Sequence, residues 1–391
     1  MIWIFYLDKF KDIRPYQDHE IRAVLDRLLL NPQFLNSIAR FYYPTLTRLF
    51  PALIIASARK KLLGQLSGVH DVKSMQTVIA SYMDKMIHDT TTRLTNSGLD
   101  ALPDDRNYLF ISNHRDIAMD PAFVNYMLYH AGHETLQIAI GDNLLKKPFV
   151  TDLMRLNKSF IVRRSLKGRE LLQSLSLLSQ YIHFSVANRE NVWIAQREGR
   201  AKDGIDRTDP ALLKMLGMGR RDLSLGESLS ELNIVPVAIS YEYDACDELK
   251  AKELHEIEKL GSFTKTEQSD IQSIVAGMIG FKGQVHVAFG TELKLNTDDP
   301  EEIAAIIDAQ ILENYALSDT NFLALEKLRK DGLVSFSLHK GLLEQRKLTK
   351  QHRKMFGKRL KAIDNKLHQK ILFGYANPLI NKLKSGIEIP N

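Results

Sequence analysis

The chain has 391 residues, 44% of them hydrophobic and 26% charged, with a net charge of +6 and a single cysteine, Cys246. The length points to one large domain with extensions or to two domains, and the composition is ordinary for a globular protein, so disorder is not the default reading. One cysteine excludes an intramolecular disulfide and any zinc site built on thiolates, and it fits a reducing compartment.

The opening Met1-Ile2-Trp3-Ile4-Phe5-Tyr6-Leu7 is apolar but reaches Asp8 and Lys9 at once, so it does not read as a secretory signal. No run approaches about 18 apolar residues, so no spanning helix is expected, and a lipid substrate would be met from outside the bilayer. Residues 1–95 read as helical, with Ile21, Val24, Leu25, Leu28 and Leu29 at helical spacing. Between Leu35 and Leu63, Phe41, Tyr42, Tyr43, Leu49, Phe50 and Leu53 mix with Arg40, Arg48, Arg59, Lys60 and Lys61, and Pro44 and Pro51 interrupt the run. Two readings stand: helices packed on the core, or an interfacial helix with its cations at lipid headgroups.

From about residue 105, short β-type runs alternate with helical stretches. The runs are Tyr108–Ser112, Leu136–Ile140, Ser159–Arg163, Val192–Gln196, Ile234–Tyr241 and Val285–Phe289. The alternation predicts an α/β fold with a central mixed sheet flanked by helices, whose chemistry gathers at strand ends. Asp298-Asp299-Pro300 suits the start of a further helix. The last 50 residues read as helical with a turn at Asn377-Pro378. From Lys340 to Asn391 there are 13 Lys and Arg against Glu344, Asp364 and Glu388, so the rest of the chain is net acidic. This basic tail is either a solvated, salt-bridged helix or a surface for anionic lipid or an acidic carrier protein. The expected division is a helical region at 1–95, an α/β domain at 96–310 and a basic helical extension at 311–391.

Four clusters carry chemistry. The Tyr108–Ser112 run leads into Asn113-His114-Arg115-Asp116 and then Asp120-Pro121. A carboxylate beside a histidine can fix the imidazole tautomer, leaving the other ring nitrogen to take a proton from an alcohol. The plainer reading is a loop histidine with acids that cap the next helix. Ser159-Phe160-Ile161-Val162 ends in Arg163, Arg164, Lys167 and Gly168, cations suited to a phosphate, or else a solvated basic turn. Val192-Trp193-Ile194-Ala195-Gln196 runs into Glu198-Gly199-Arg200-Ala201-Lys202, a glycine turn with cations. Ile234-Val235-Pro236-Val237 is an apolar strand with a proline that implies an edge or an irregularity.

These clusters, in this order, resemble the four motifs of the glycerolipid acyltransferase family over roughly residues 95–310. The second cluster is most similar to the glycerol-3-phosphate branch. The sequence departs from the family pattern in three places. Asp120 follows His114 after five residues instead of four, Glu198-Gly199-Arg200 lacks an intervening residue, and Gln196 stands where proline is frequent. On a regular helix six steps turn the side chain about 100° further than five, and a one-residue π-type bulge would restore the alignment.

The resemblance implies an O-acyltransferase of phospholipid biosynthesis. It would move a fatty acyl group from acyl-CoA or acyl carrier protein to a hydroxyl of glycerol-3-phosphate or lysophosphatidate. His114 would be the general base and Asp120, or alternatively Asp116, its partner. Arg163 and Arg200 would hold the phosphate, with Arg164, Lys167 and Lys202 as secondary candidates, and Glu198 and Gly199 would form the third-motif turn. Backbone N–H groups at the helix start would support the oxyanion. No metal or bound cofactor is required, and no nucleic-acid partner is expected. The enzyme would sit in the cytoplasm, peripheral on the inner face of an anionic membrane. The alternative is a non-catalytic lipid-surface binding protein on a decayed acyltransferase fold.

Overall fold

The structure, a computed structural model, describes residues 9–334, 346 and 348–389. The opening Met1–Leu7 run and part of the basic tail, at 335–345 and 347, lie outside the described residues. Among the described residues there are seven strands: β1 Thr91–Ser97, β2 Leu109–Ser112, β3 Leu136–Gly141, β4 Ser159–Val162, β5 Asn191–Ala195, β6 Ile234–Tyr241 and β7 Gly283–Phe289. The fold is mixed α/β. Compact packing follows a different division from three consecutive segments. One unit joins Met1–Lys85 with Thr135–Val192, and the other joins Met86–Glu134 with Trp193–Asn391.

In the first unit, Gln17 and Glu20 form a capping box at the start of the Asp18–Leu30 helix, whose buried face is Ile21, Val24, Leu25, Leu28 and Leu29. That face meets Phe34, Leu35 and Leu66 and, from the later part of the chain, Phe149 and Leu156. This packing makes the unit discontinuous: the early helices bury their apolar stripe on residues more than a hundred positions away. Pro32, Pro44 and Pro51 each sit in the first turn of a helix, where a missing N–H costs nothing. β3 and β4 pair in parallel, with Gly141 opposite Val162.

In the second unit the strand order is β1-β7-β6-β2. β1 runs parallel to β7, β6 antiparallel to β7, and β2 parallel to β6, so this part of the sheet is mixed. β1 corrects the expectation of helix up to residue 95. Its sequence, TTRLTNS, has almost no apolar alternation, and the strand is held by pairing with β7. The His286 ring on β7 joins Thr95 through Nδ1 at 2.8 Å and Ser97 through Nε2 at 3.0 Å. Asp299 caps the Pro300–Asn314 helix, which packs on β6 through Ile303, Ile307 and Ile311.

The C-terminal helices Asp319–Lys330, Lys350–Lys361 and His368–Lys384 have a core of their own. Phe322, Leu325, Leu328, Phe356, Leu360, Leu372 and Leu379 pack with Tyr243 and Ala251. Several tail cations are already paired, Arg359 with Asp247 and Lys370 with Glu258 among them. The turn expected at Asn377-Pro378 is absent, because Pro378 lies inside the last helix. A proline cannot donate to the carbonyl four residues back. That carbonyl belongs to Gly374, and Gly204 comes so close to it that a Cβ on Gly204 would stand 2.2 Å from the oxygen.

Phe322 is 1% exposed. Phe322→Ala is expected to lower stability by about 3–5 kcal/mol, read from urea denaturation. A loss under about 1 kcal/mol would show that the C-terminal core is not integral to its unit.

Candidate active site

β2 is buried throughout and delivers its last residues to a loop in the second unit. Asn113 locks that exit. Its Oδ1 accepts from Ile239 N–H at 2.8 Å and its Nδ2 donates to Ile239 O at 3.0 Å, so one amide continues the β2–β6 ladder beyond Ser112. The neighbouring Arg115 turns inward to Asp206, Nη2 to Oδ2 at 2.6 Å, and lies over the Tyr315 ring. These two anchors leave His114 between them, with its side chain 13% exposed.

His114 Nδ1 lies 2.9 Å from Asp120 Oδ2. Asp120 has no exposure. The same Oδ2 accepts the N–H groups of Arg115 at 2.6 Å and Asp116 at 2.9 Å, and Oδ1 accepts the Tyr241 O–H at 2.6 Å. With Nδ1 engaged, Nε2 is the nitrogen left to exchange a proton with a ligand. The imidazole meets the Trp193 indole edge-on, centroids 5.8 Å apart, and Trp193 Nε1 donates to Ser112 Oγ at 3.0 Å.

Asp116 has a different task. Its Oδ1 accepts from Ala118 N at 3.0 Å and Met119 N at 2.9 Å, capping the Met119–Ala131 helix. Burial first, and then the charge of Asp120, raise its pKa. The extra residue between His114 and Asp120 falls in the 113–118 loop, before the helix begins at Met119. No π-type bulge is present there, because neither the histidine nor the four residues after it are helical. The expected oxyanion donors are also corrected in part. The N–H groups of Arg115, Asp116, Ala118 and Met119 are all taken by Asp116 or Asp120.

The third-motif segment closes over the same loop. Gln196 N donates to Ser112 O and Ala201 N donates to His114 O, each at 2.8 Å. Gly199, at φ +74°, makes the turn, and Glu198 is exposed. Arg200 Nη2 donates to Ser273 Oγ at 3.0 Å, whereas its Nη1 is buried without a protein partner. Lys202 pairs with Glu253 at 3.1 Å, and burial lowers its pKa. Any phosphate at Lys202 would compete with that carboxylate. Asn377 Nδ2 donates to Asp203 O at 2.7 Å, so the last helix also steadies this turn.

The remaining cations belong to the first unit. Beyond β4, Asp142 gathers the turn by accepting from Arg164 N at 3.1 Å and Ser165 N at 3.2 Å. Arg163 makes a loose, exposed pair with Asp12 at 3.5 Å, and Lys167 is exposed at the start of the Gly168–Ala187 helix. The pair made by Arg163 is weak, as expected of exposed charges.

Sequence reasoning missed Tyr241, Asp206 and the clamping role of Asn113. The partners of Tyr241 and Asn113 lie 121 and 126 residues away, and no local pattern marks them.

This geometry defines a histidine–carboxylate pair just beyond a strand end in an α/β protein. A family model described as Acyltransferase matches residues 93–240. Over those residues the chain is similar to that family. Among curated relatives, a glycerol-3-phosphate acyltransferase of Pseudomonas syringae pv. syringae (strain B728a) is 26% identical over 226 residues, covering 57% of this chain and 26% of that protein. One from Pseudomonas fluorescens (strain SBW25) is 27% identical over 225 residues, covering 57% and 25%. The chain thus spans about a quarter of the length of the curated relatives it matches. The crystal structure of the 1-acyl-sn-glycerophosphate (LPA) acyltransferase PlsC from Thermotoga maritima is 14% identical, covers 75% of this chain and 97% of that one, and gives a TM-score of 0.33. That likeness is too loose to place any residue.

Asn113→Ala would strand the N–H and C=O of Ile239 in a buried strand. A loss of about 1–3 kcal/mol is expected by urea denaturation, and an unchanged midpoint would mean that the clamp contributes nothing.

Proposed function

We propose that this chain is an O-acyltransferase that moves a fatty acyl group from a CoA or carrier-protein thioester to a hydroxyl of glycerol-3-phosphate or lysophosphatidate. The observation that carries this reading is the His114–Asp120 hydrogen bond at 2.9 Å, made through Nδ1. His114 Nε2 takes the proton of the acceptor hydroxyl as its oxygen attacks the thioester carbonyl. The tetrahedral intermediate collapses with cleavage of the C–S bond, and the imidazolium returns the proton to the leaving thiolate. Asp120 stays anionic and stabilises the imidazolium without taking its proton. A phosphate-binding role for Arg163, with Arg164 and Lys167, rests on the likeness of their segment to the family's second motif. Arg200 is a further candidate through its buried, unpartnered Nη1.

The test is thiol release from a long-chain acyl-CoA with a panel of acceptors. His114→Ala is expected to lower turnover by about 10²–10⁴-fold, with the far-UV spectrum unchanged. Asp116→Asn keeps an acceptor oxygen for the helix cap and is expected to stay within about tenfold of the unaltered enzyme. Near-normal turnover in the His114 variant would end the reading.

Among the described residues no helix is long and apolar enough to cross a membrane. The Pro32–Leu66 helices of the first unit instead expose Tyr42, Tyr43, Leu46, Leu49, Phe50 and Leu53, the last four at 46%, 62%, 58% and 68%. Arg40, Arg48, Arg59, Lys60 and Lys61 lie in the same segment. Apolar side chains beside a set of cations suit an anionic bilayer surface, where each fully buried Leu or Phe contributes about 1.5–3 kcal/mol. The triple change Leu49→Ser, Phe50→Ser and Leu53→Ser is expected to reduce flotation with phosphatidylglycerol vesicles by about tenfold or more. Undiminished flotation would remove this segment from the membrane contact.

A further inference from the structure

Asp120 is a buried carboxylate with four donors, and three of them come from the loop just before its helix: His114 Nδ1, Arg115 N and Asp116 N. All three converge on Oδ2. The fourth, Tyr241 O–H, is alone on Oδ1 and comes from the far end of another strand. We propose that Tyr241 is a positioning residue for acyl transfer, holding the Asp120 carboxylate in the rotation that faces His114 and setting how strongly that carboxylate draws on the imidazole. The inference rests on the reading of His114 as base.

The terminal torsion of an aspartate is broad and two-fold, so the side chain alone does not fix which oxygen faces the histidine. A donor on Oδ1 fixes it. That donor also takes up part of the carboxylate charge, so less of it acts on the imidazolium. The phenol is well suited to a permanent donor role. Burial foremost, then the neighbouring Asp120, push its pKa well above the ordinary tyrosine value, so the O–H stays protonated. Its ring packs against Phe123, centroids 5.9 Å apart, and the residue is 7% exposed. Its place in the chain is set by register. Ser112 pairs with Val237, the Asn113 amide clamps Ile239, and Tyr241 follows two residues on, on the same face of β6.

Other charged groups act around the dyad. Asp116 lies on the same loop, Arg200 in the third-motif turn and Asp244 just beyond β6, while the Arg115–Asp206 pair and Tyr315 stand behind. Among the described residues, Tyr241 is the one side chain besides His114 with a hydrogen bond to Asp120.

Tyr241→Phe keeps the ring and removes only the O–H. The titration of the His114 ring nitrogens, followed by ¹⁵N NMR and assigned with His114→Gln, is expected to move up by about half a pH unit or more. The sign follows because an undamped carboxylate favours the protonated imidazole. The acidic limb of kcat/KM moves the same way, and kcat falls about tenfold with KM within about twofold. Installing 3-fluorotyrosine at 241 gives a stronger donor and moves the midpoint down. Phe123→Leu disturbs the same packing while leaving the O–H, and should leave the midpoint in place. An unmoved midpoint in both Tyr241 variants overturns the proposal even if kcat falls, and so does an equal shift in the Phe123 variant. The midpoint is read without turnover, so it judges Tyr241 whether or not the His114→Ala test upholds the acyltransferase reading.

Discussion

Asp120 holds a carboxylate away from water, and the second unit is arranged around satisfying it. An uncompensated charge in such a place costs several kcal/mol. Here two main-chain N–H groups, one imidazole and one phenol meet it. Each donor depends on a different part of the fold. The N–H groups need the tight loop after β2, the phenol needs β6 in its register, and the imidazole needs the backbone at 114, which Ala201 of the third-motif segment holds. The histidine is therefore oriented by the whole set and not by a single contact.

The same economy appears in how neighbouring acids are used. Asp116 on the loop and Asp120 in the first turn of the helix are four residues apart, both buried, and only one reaches the histidine. The other caps the helix that carries its neighbour. Two acids of one sign at close range raise each other's cost of ionisation. Spreading them over separate donor sets lets the Asp120 charge be compensated, while the pKa of Asp116 rises.

The C-terminal helices, basic in sequence, are packed from within. Their core includes Tyr243 and Ala251, and Gly374 and Asn377 reach Gly204 and Asp203. A segment that composition marks as a charged tail thus serves as a support for the turn that holds the His114 carbonyl.

The motifs, their order and the α/β alternation were legible in the sequence because strand-end chemistry is local: His114, Gly199 and Arg163 each sit within a few residues of the apolar run that carries them. The helix start at Pro300 was equally local, since proline and capping residues act on the next turn. β1 was not legible, because a polar edge strand takes its shape from pairing with β7 and not from its own pattern. Nor was the choice between Asp116 and Asp120. Spacing counted along an assumed helix cannot decide it when the intervening residues form a loop. Tyr241 and the Asn113 clamp were invisible for the same reason: each meets its partner across more than a hundred residues, and only the register of β2 against β6 brings the two together.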